Sequence, residues 1–104
     1  MKELANLSDF EAFIKSNPKV IIDFYATWCG PCKNIAPVLE DYASKNSDIA
    51  FAKVDVDANE DAASVCNVEA MPTMIAFLNG TQFSKFEGAN PNKLADLVAK
   101  LKNA

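Results

Sequence analysis

Histidine is absent from this chain and cysteine occurs only three times. A tetrahedral zinc centre draws on Cys and His, so a structural metal site would have to borrow a carboxylate or a second chain, and no metal is expected. An odd cysteine count also argues against an extracellular disulfide framework and for catalytic use of a thiol. Basic residues never adjoin one another, and fourteen acidic against ten basic residues give a net charge of -4 and a pI near 4.6. Nucleic acid and anionic membranes are therefore not expected as partners. No apolar stretch approaches the ~20 residues that span a bilayer. Met1-Lys2-Glu3-Leu4 leads straight into folded-looking sequence rather than a signal core, so a cytoplasmic, reducing location is expected. Linkers, repeats and low-complexity tracts are missing as well, which makes residues 1–104 a single expected domain.

Half of the residues are hydrophobic, enough for a chain of this size to bury somewhat over 60 % of its unfolded surface. Ser8 with Glu11 matches a capping box for a first helix over about 8–16, ended by Asn17-Pro18. From Val20 to Ala26 the run is β-branched and aromatic on both parities, as in a central strand covered on both faces. Ile35, Val38, Leu39 and Tyr42 recur at helical spacing to about Asn46, with Pro37 expected to kink the axis. Ile49 to Asp55 reads as a second long strand, Asn59 to Val65 as a short helix, and Thr73 to Leu78 as a strand entering an Asn79-Gly80 hairpin. A strand from about Gln82 to Glu87 follows. Asn90-Pro91 then starts a last helix with Leu94, Leu97, Val98 and Leu101 on one stripe. With a short strand before Ser8, the order is β-α-β-α-β-α-β-β-α. The expected class is α/β, with a central mixed sheet flanked by helices on both faces.

The chemistry concentrates in Trp28-Cys29-Gly30-Pro31-Cys32, where a strand hands over to a helix. Side chains at i and i+3 on a helix are neighbours at roughly 5 to 6 Å, within the range of about 4.4 to 6.8 Å between α-carbons that a disulfide requires. This pair can open and close with little backbone movement. A ring so small would stabilise the fold by only about 2 kcal/mol, which makes a purely structural bridge a poor reading. Cys29, at the cap of the helix, meets unpaired N–H groups and the positive end of the dipole, and Lys33 adds a cation. Its thiolate is expected to be stabilised, exposed and nucleophilic. Cys32, one turn deeper, is expected to be less accessible and to resolve the mixed disulfide. Pro31 fixes φ in the first turn and, with Gly30, holds the thiols in register.

Asp23 is a carboxylate inside an apolar strand, where burial raises its pKa and suits it to proton transfer; the alternative is that it faces solvent. Trp28 reads equally as a packing aromatic and as a binding residue. Cys66, at the end of the third helix, reads as a small packing residue, with a regulatory thiol as the alternative.

The pentad in its strand–helix context, Asp23, Met71-Pro72-Thr73, Asn79-Gly80 and Gly88-Ala89-Asn90 together resemble the thioredoxin family over essentially the whole chain. The resemblance implies the thioredoxin fold, a cis peptide at Met71–Pro72, and dithiol transfer to disulfide-containing proteins. Re-reduction would come from a flavoprotein, thioredoxin reductase, with electrons from NADPH and no cofactor bound to the chain itself. It implies Asp23 as the acid/base serving Cys32 through a water, with Lys53 tuning it. Trp28, Met71, Pro72, Gly88 and Ala89 would form the substrate-docking surface, where the Met71 backbone pairs with an extended segment. A monomer is implied, with an oxidised dimer through Cys66 as a further form. A scaffold subunit with incidental thiols is a rival reading, as is an oxidase or isomerase of the same fold; the Gly-Pro between the cysteines resembles the reductant.

Overall fold

The computed structural model describes residues 1–104. Its elements are β1 (Lys2–Glu3), α1 (Leu7–Ser16), β2 (Lys19–Tyr25), α2 (Gly30–Lys45), β3 (Ala50–Asp55), α3 (Glu60–Val65), β4 (Thr73–Leu78), β5 (Thr81–Glu87) and α4 (Pro91–Lys102). The five strands form one sheet in the order β1-β3-β2-β4-β5. Pairing is parallel from β1 through β3 to β2 and antiparallel from β2 through β4 to β5. Strand β2 is thus central, and the sheet is mixed. No helix is long and apolar enough to cross a membrane.

The period-2 alternation of β2 decides what lies on each face. Val20, Ile22 and Phe24 join Phe10 and Ile14 of α1 and Ala62 and Ala63 of α3 in one core. Ile21 joins Ile35 and Leu39 of α2 and Leu94, Leu97, Val98 and Leu101 of α4 in the other. Asp23 has the parity of Ile21. The carboxylate therefore points to the α2 side of the sheet.

One local expectation needs correction. Ser8 and Glu11 do not cap α1; Asn6 does, its side-chain Oδ1 accepting from the Asp9 N–H at 2.8 Å. Asparagine caps as well as serine, and starting one position earlier lets Leu7 pack against the core. Pro37 lies inside α2, which runs on from Gly30 to Lys45. The hairpin follows its dipeptide: Asn79 and Gly80 both take positive φ, 53° and 82°, the backbone that a two-residue turn of the right twist demands.

Asn59 has a role beyond starting α3. Its Oδ1 accepts from the Ala62 N–H at 3.3 Å while its Nδ2 donates to the Leu4 carbonyl at 3.1 Å. This buried side chain fastens the end of β1 to the start of α3. Asn59→Ala removes a helix cap and strands a buried carbonyl, and should cost about 1–3 kcal/mol. Equilibrium urea unfolding would measure it, and an unchanged midpoint would show that the clamp carries no stability.

Candidate active site

The junction between β2 and α2 is built by local bonds. The Cys29 N–H donates to the Ala26 carbonyl at 3.2 Å, turning the chain out of the sheet, and the Lys33 N–H donates to the Cys29 carbonyl at 3.3 Å to open the helix. Cys29 is the N-cap residue, and its Sγ accepts from the Cys32 N–H at 3.2 Å. A sulfur at this position meets an orphan amide and the positive end of a helix dipole, both of which favour a thiolate. Pro31 sits in the first turn, where its missing N–H costs nothing. Cys29 and Cys32 are joined as a disulfide with their α-carbons 5.3 Å apart.

Exposure departs from expectation. Cys29 is 5 % exposed and Cys32 is 3 % exposed, so both are buried and the difference between them is small. The physical reason is local packing: with Ala26 they form a small apolar cluster against which Tyr25, Val56 and Met71 lie. Gly30, Pro31 and Lys33 are exposed around them.

Asp23 is buried at 3 % exposure, which excludes the solvent-facing alternative. Its Oδ1 has no hydrogen-bond partner. Burial pushes its carboxyl up to about 7, against a smaller downward pull from Lys53 and a smaller upward push from Glu3. Lys53 is the lateral neighbour of Asp23 on β3, and its Nζ lies 5.4 Å from the centroid of the Tyr25 ring. A cavity of about 270 Å³ joins these groups, lined by Asp23, Tyr25, Cys32, Lys33, Glu40 and Lys53 among others. Lys33 thus belongs to the space shared by Cys32 and Asp23. No group of three or more Cys, Asp or Glu side chains is gathered to hold a metal ion.

The other residues singled out in the sequence fall around the cysteine pair. The Met71–Pro72 peptide is cis. Pro72 is buried, and its carbonyl accepts from the Gly88 N–H at 2.8 Å, which ties the end of β5 to the segment packed on the cysteines. Gly88 has φ 94°, a backbone that a side chain would strain. Ala89 packs against the α4 core. Trp28 is 67 % exposed, and its indole N–H donates to Asp57 Oδ2 at 2.9 Å. Asp57 was not legible in the sequence; a tryptophan N–H needs an acceptor, but nothing local names one 29 positions away. Cys66 lies apart, buried in the core between α1, α3 and the sheet, and burial pushes its thiol up to about 11.

Comparison with known proteins agrees over the full length. The family model described as Thioredoxin matches residues 2–102. The chain is 42 % identical to the thioredoxin of Gallus gallus over 103 residues, covering 97 % of this chain and 98 % of that one. It is 47 % identical over 92 residues to mitochondrial thioredoxin-3 of Saccharomyces cerevisiae, covering 88 % of this chain and 72 % of that one. Among solved structures, Fasciola hepatica thioredoxin superposes with a TM-score of 0.94 at 42 % identity, covering 97 % of this chain and 99 % of that one. The oxidised form of yeast mitochondrial thioredoxin 3 gives 0.93 at 44 % identity, covering 97 % and 95 %. With its Cys29–Cys32 pair seated at the front of α2 and these matches running nearly end to end, the chain belongs to the thioredoxin family and is a thiol–disulfide oxidoreductase.

Proposed function

We propose that the chain reduces disulfides in target proteins by using Cys29 and Cys32 in turn, with Asp23 taking the proton of the second step. The observation that carries this reading is a buried carboxyl with one unpartnered oxygen, sharing a cavity with Cys32. In the reduced protein the Cys29 thiolate attacks one sulfur of the substrate disulfide. That bond breaks, a mixed disulfide forms, and the first substrate sulfur leaves as a thiolate and takes a proton. Cys32 then attacks Cys29 Sγ, passing its proton to Asp23, directly or through a water. The mixed disulfide breaks, Cys29–Cys32 closes and the second substrate thiol leaves. The substrate gains two electrons and the dithiol loses two.

A carboxyl near pH 7 accepts and returns a proton readily under neutral conditions. Lys53 lies next to it and moderates its proton affinity, while Lys33 adds positive charge to the same cavity. Gly30 and Pro31 set the spacing of the thiols. Substrates dock on Trp28, Met71, Pro72, Gly88 and Ala89, with backbone pairing at Met71 supplying affinity across sequences. Thioredoxin reductase returns the pair to the dithiol with electrons from NADPH. The unit is residues 1–104 acting as a monomer in the cytoplasm. Cys66 is a packing residue, and a covalent dimer through it requires the end of α3 to open first.

Cys32→Ser should abolish turnover in an insulin-type disulfide reduction assay and accumulate a mixed disulfide on Cys29, visible by mass spectrometry without reductant. Retained turnover would refute the two-thiol scheme. Asp23→Asn should slow release of the mixed disulfide about tenfold or more at pH 7. The same substitution should stabilise the fold. The carboxyl titrates at about 7 folded and near its ordinary value of 3.8 unfolded, so the folded state holds the extra proton between these limits. Parent stability therefore falls as pH rises through that window, and the gain from Asn grows to at most about 4 kcal/mol above pH 7. Urea unfolding at pH 4 and pH 8 checks the sign, and an equal gain at both would contradict it.

A further inference from the structure

Glu3 takes no part in the steps above, yet it is tied to them by geometry. Both of its oxygens are held: the Tyr25 hydroxyl donates to Oε1 at 2.5 Å and the Asp55 N–H donates to Oε2 at 3.2 Å. Strand pairing sets Glu3 beside Lys53 and Lys53 beside Asp23. Lateral partners share a face and stand roughly 5 Å apart, so a carboxylate, an ammonium and a carboxyl lie in one row across β1, β3 and β2. Lys53 closes an ion pair with neither flanking group. It instead rests over the ring of Tyr25, whose hydroxyl grips Glu3.

We propose that Glu3 is a positioning residue for release of the mixed disulfide: held by Tyr25 and Asp55, it shares Lys53 with Asp23 and so keeps that carboxyl able to take the Cys32 proton. The proposal rests on the assignment of Asp23 as proton acceptor made above. Without the competing carboxylate, Lys53 would act on Asp23 alone and favour its ionised form, making it a weaker base. The other ionisable groups facing Asp23 are Lys53 on β3, Tyr25 on β2, Cys32, Lys33 and Glu40 on α2, and the amino group of Met1 at the cavity wall. Glu3 is exposed to solvent, so its influence is screened, but its two hydrogen bonds keep the charge in the row rather than free to swing away.

Glu3→Gln removes the charge while keeping the length and the capacity to hydrogen-bond. In the oxidised protein, where Cys29 and Cys32 do not titrate, the Asp23 side-chain carboxyl can be followed by carbon NMR against pH. Its midpoint should fall by about half a pH unit. The midpoint of the pH profile for release of the mixed disulfide should fall with it. If Glu3 merely anchored β1, urea unfolding would report lower stability while the Asp23 titration stayed in place. A carboxyl midpoint within about 0.2 pH unit of the parent therefore overturns the proposal. Should Asp23→Asn leave the release rate unchanged, the catalytic reading of Asp23 fails, and the NMR midpoint still reports separately whether Glu3 controls that carboxyl.

Discussion

The structure turns on burying one carboxyl group. Asp23 occupies the centre of a strand whose neighbours on both sides are buried, and nothing donates to its Oδ1. Ionised in such a place, a carboxylate is costly, so Asp23 keeps its proton up to about pH 7. Strand parity then aims it at α2, the helix that begins with the two cysteines. Were the strand to slip by one residue, Asp23 would face the α1 and α3 core and would no longer share a cavity with Cys32. Register in β2 therefore decides which helix the carboxyl faces, and the apolar side chains flanking Asp23 enforce it.

The rest of the sheet fixes where α2 can begin. Parallel pairing of β2 with β3 leaves both strands ending at the same edge, and there the chain must leave the sheet to form its crossover. The Ala26 carbonyl captures the Cys29 N–H at that exit, which makes Cys29 the cap and delivers its sulfur to the amide of Cys32. The antiparallel β4 brings its own beginning to the same edge, since Thr73 pairs with Phe24. Met71 and Pro72 thereby reach the thiols from the opposite side. Three segments distant in sequence meet because one central strand has a parallel neighbour on one side and an antiparallel neighbour on the other.

Much of this was legible in the chain because the signals are local. The pentad, the doubly apolar strand, Asn79-Gly80 and the stripe of α4 each depend on a few adjacent residues, and each element appeared where its pattern lay. Asp23 was legible for the opposite reason: it breaks its pattern. What could not be read was anything decided by side chains meeting across the fold. Asn6 and Ser8 are both competent caps, and the choice followed from Leu7 packing on the core. The burial of Cys29 depends on Met71 and Val56, which the sequence does not place beside it. Asp57 under Trp28, Asn59 under Leu4 and Glu3 under Tyr25 are long-range polar pairings. No periodicity encodes them.

These cross-fold pairings share a direction. Asn59 fastens the Leu4 carbonyl, the Leu4 N–H donates to the Lys53 carbonyl at 2.9 Å, and Glu3 accepts from Tyr25 and the Asp55 amide. A strand of two residues has too few ladder bonds to hold an edge by itself, so these contacts are what keep β1 in register. An edge so short limits exposed pairing groups, and it also sets charge next to Lys53 at the end of the row that leads to Asp23. On the proposed role of Glu3, charge at the sheet edge, though weakened by solvent screening, acts on the buried carboxyl without altering the apolar packing around it. Glu3 thus anchors the short edge strand and, on the proposed reading, also weights the carboxyl at the centre, so one residue links the register of the edge to the chemistry beside the cysteine pair.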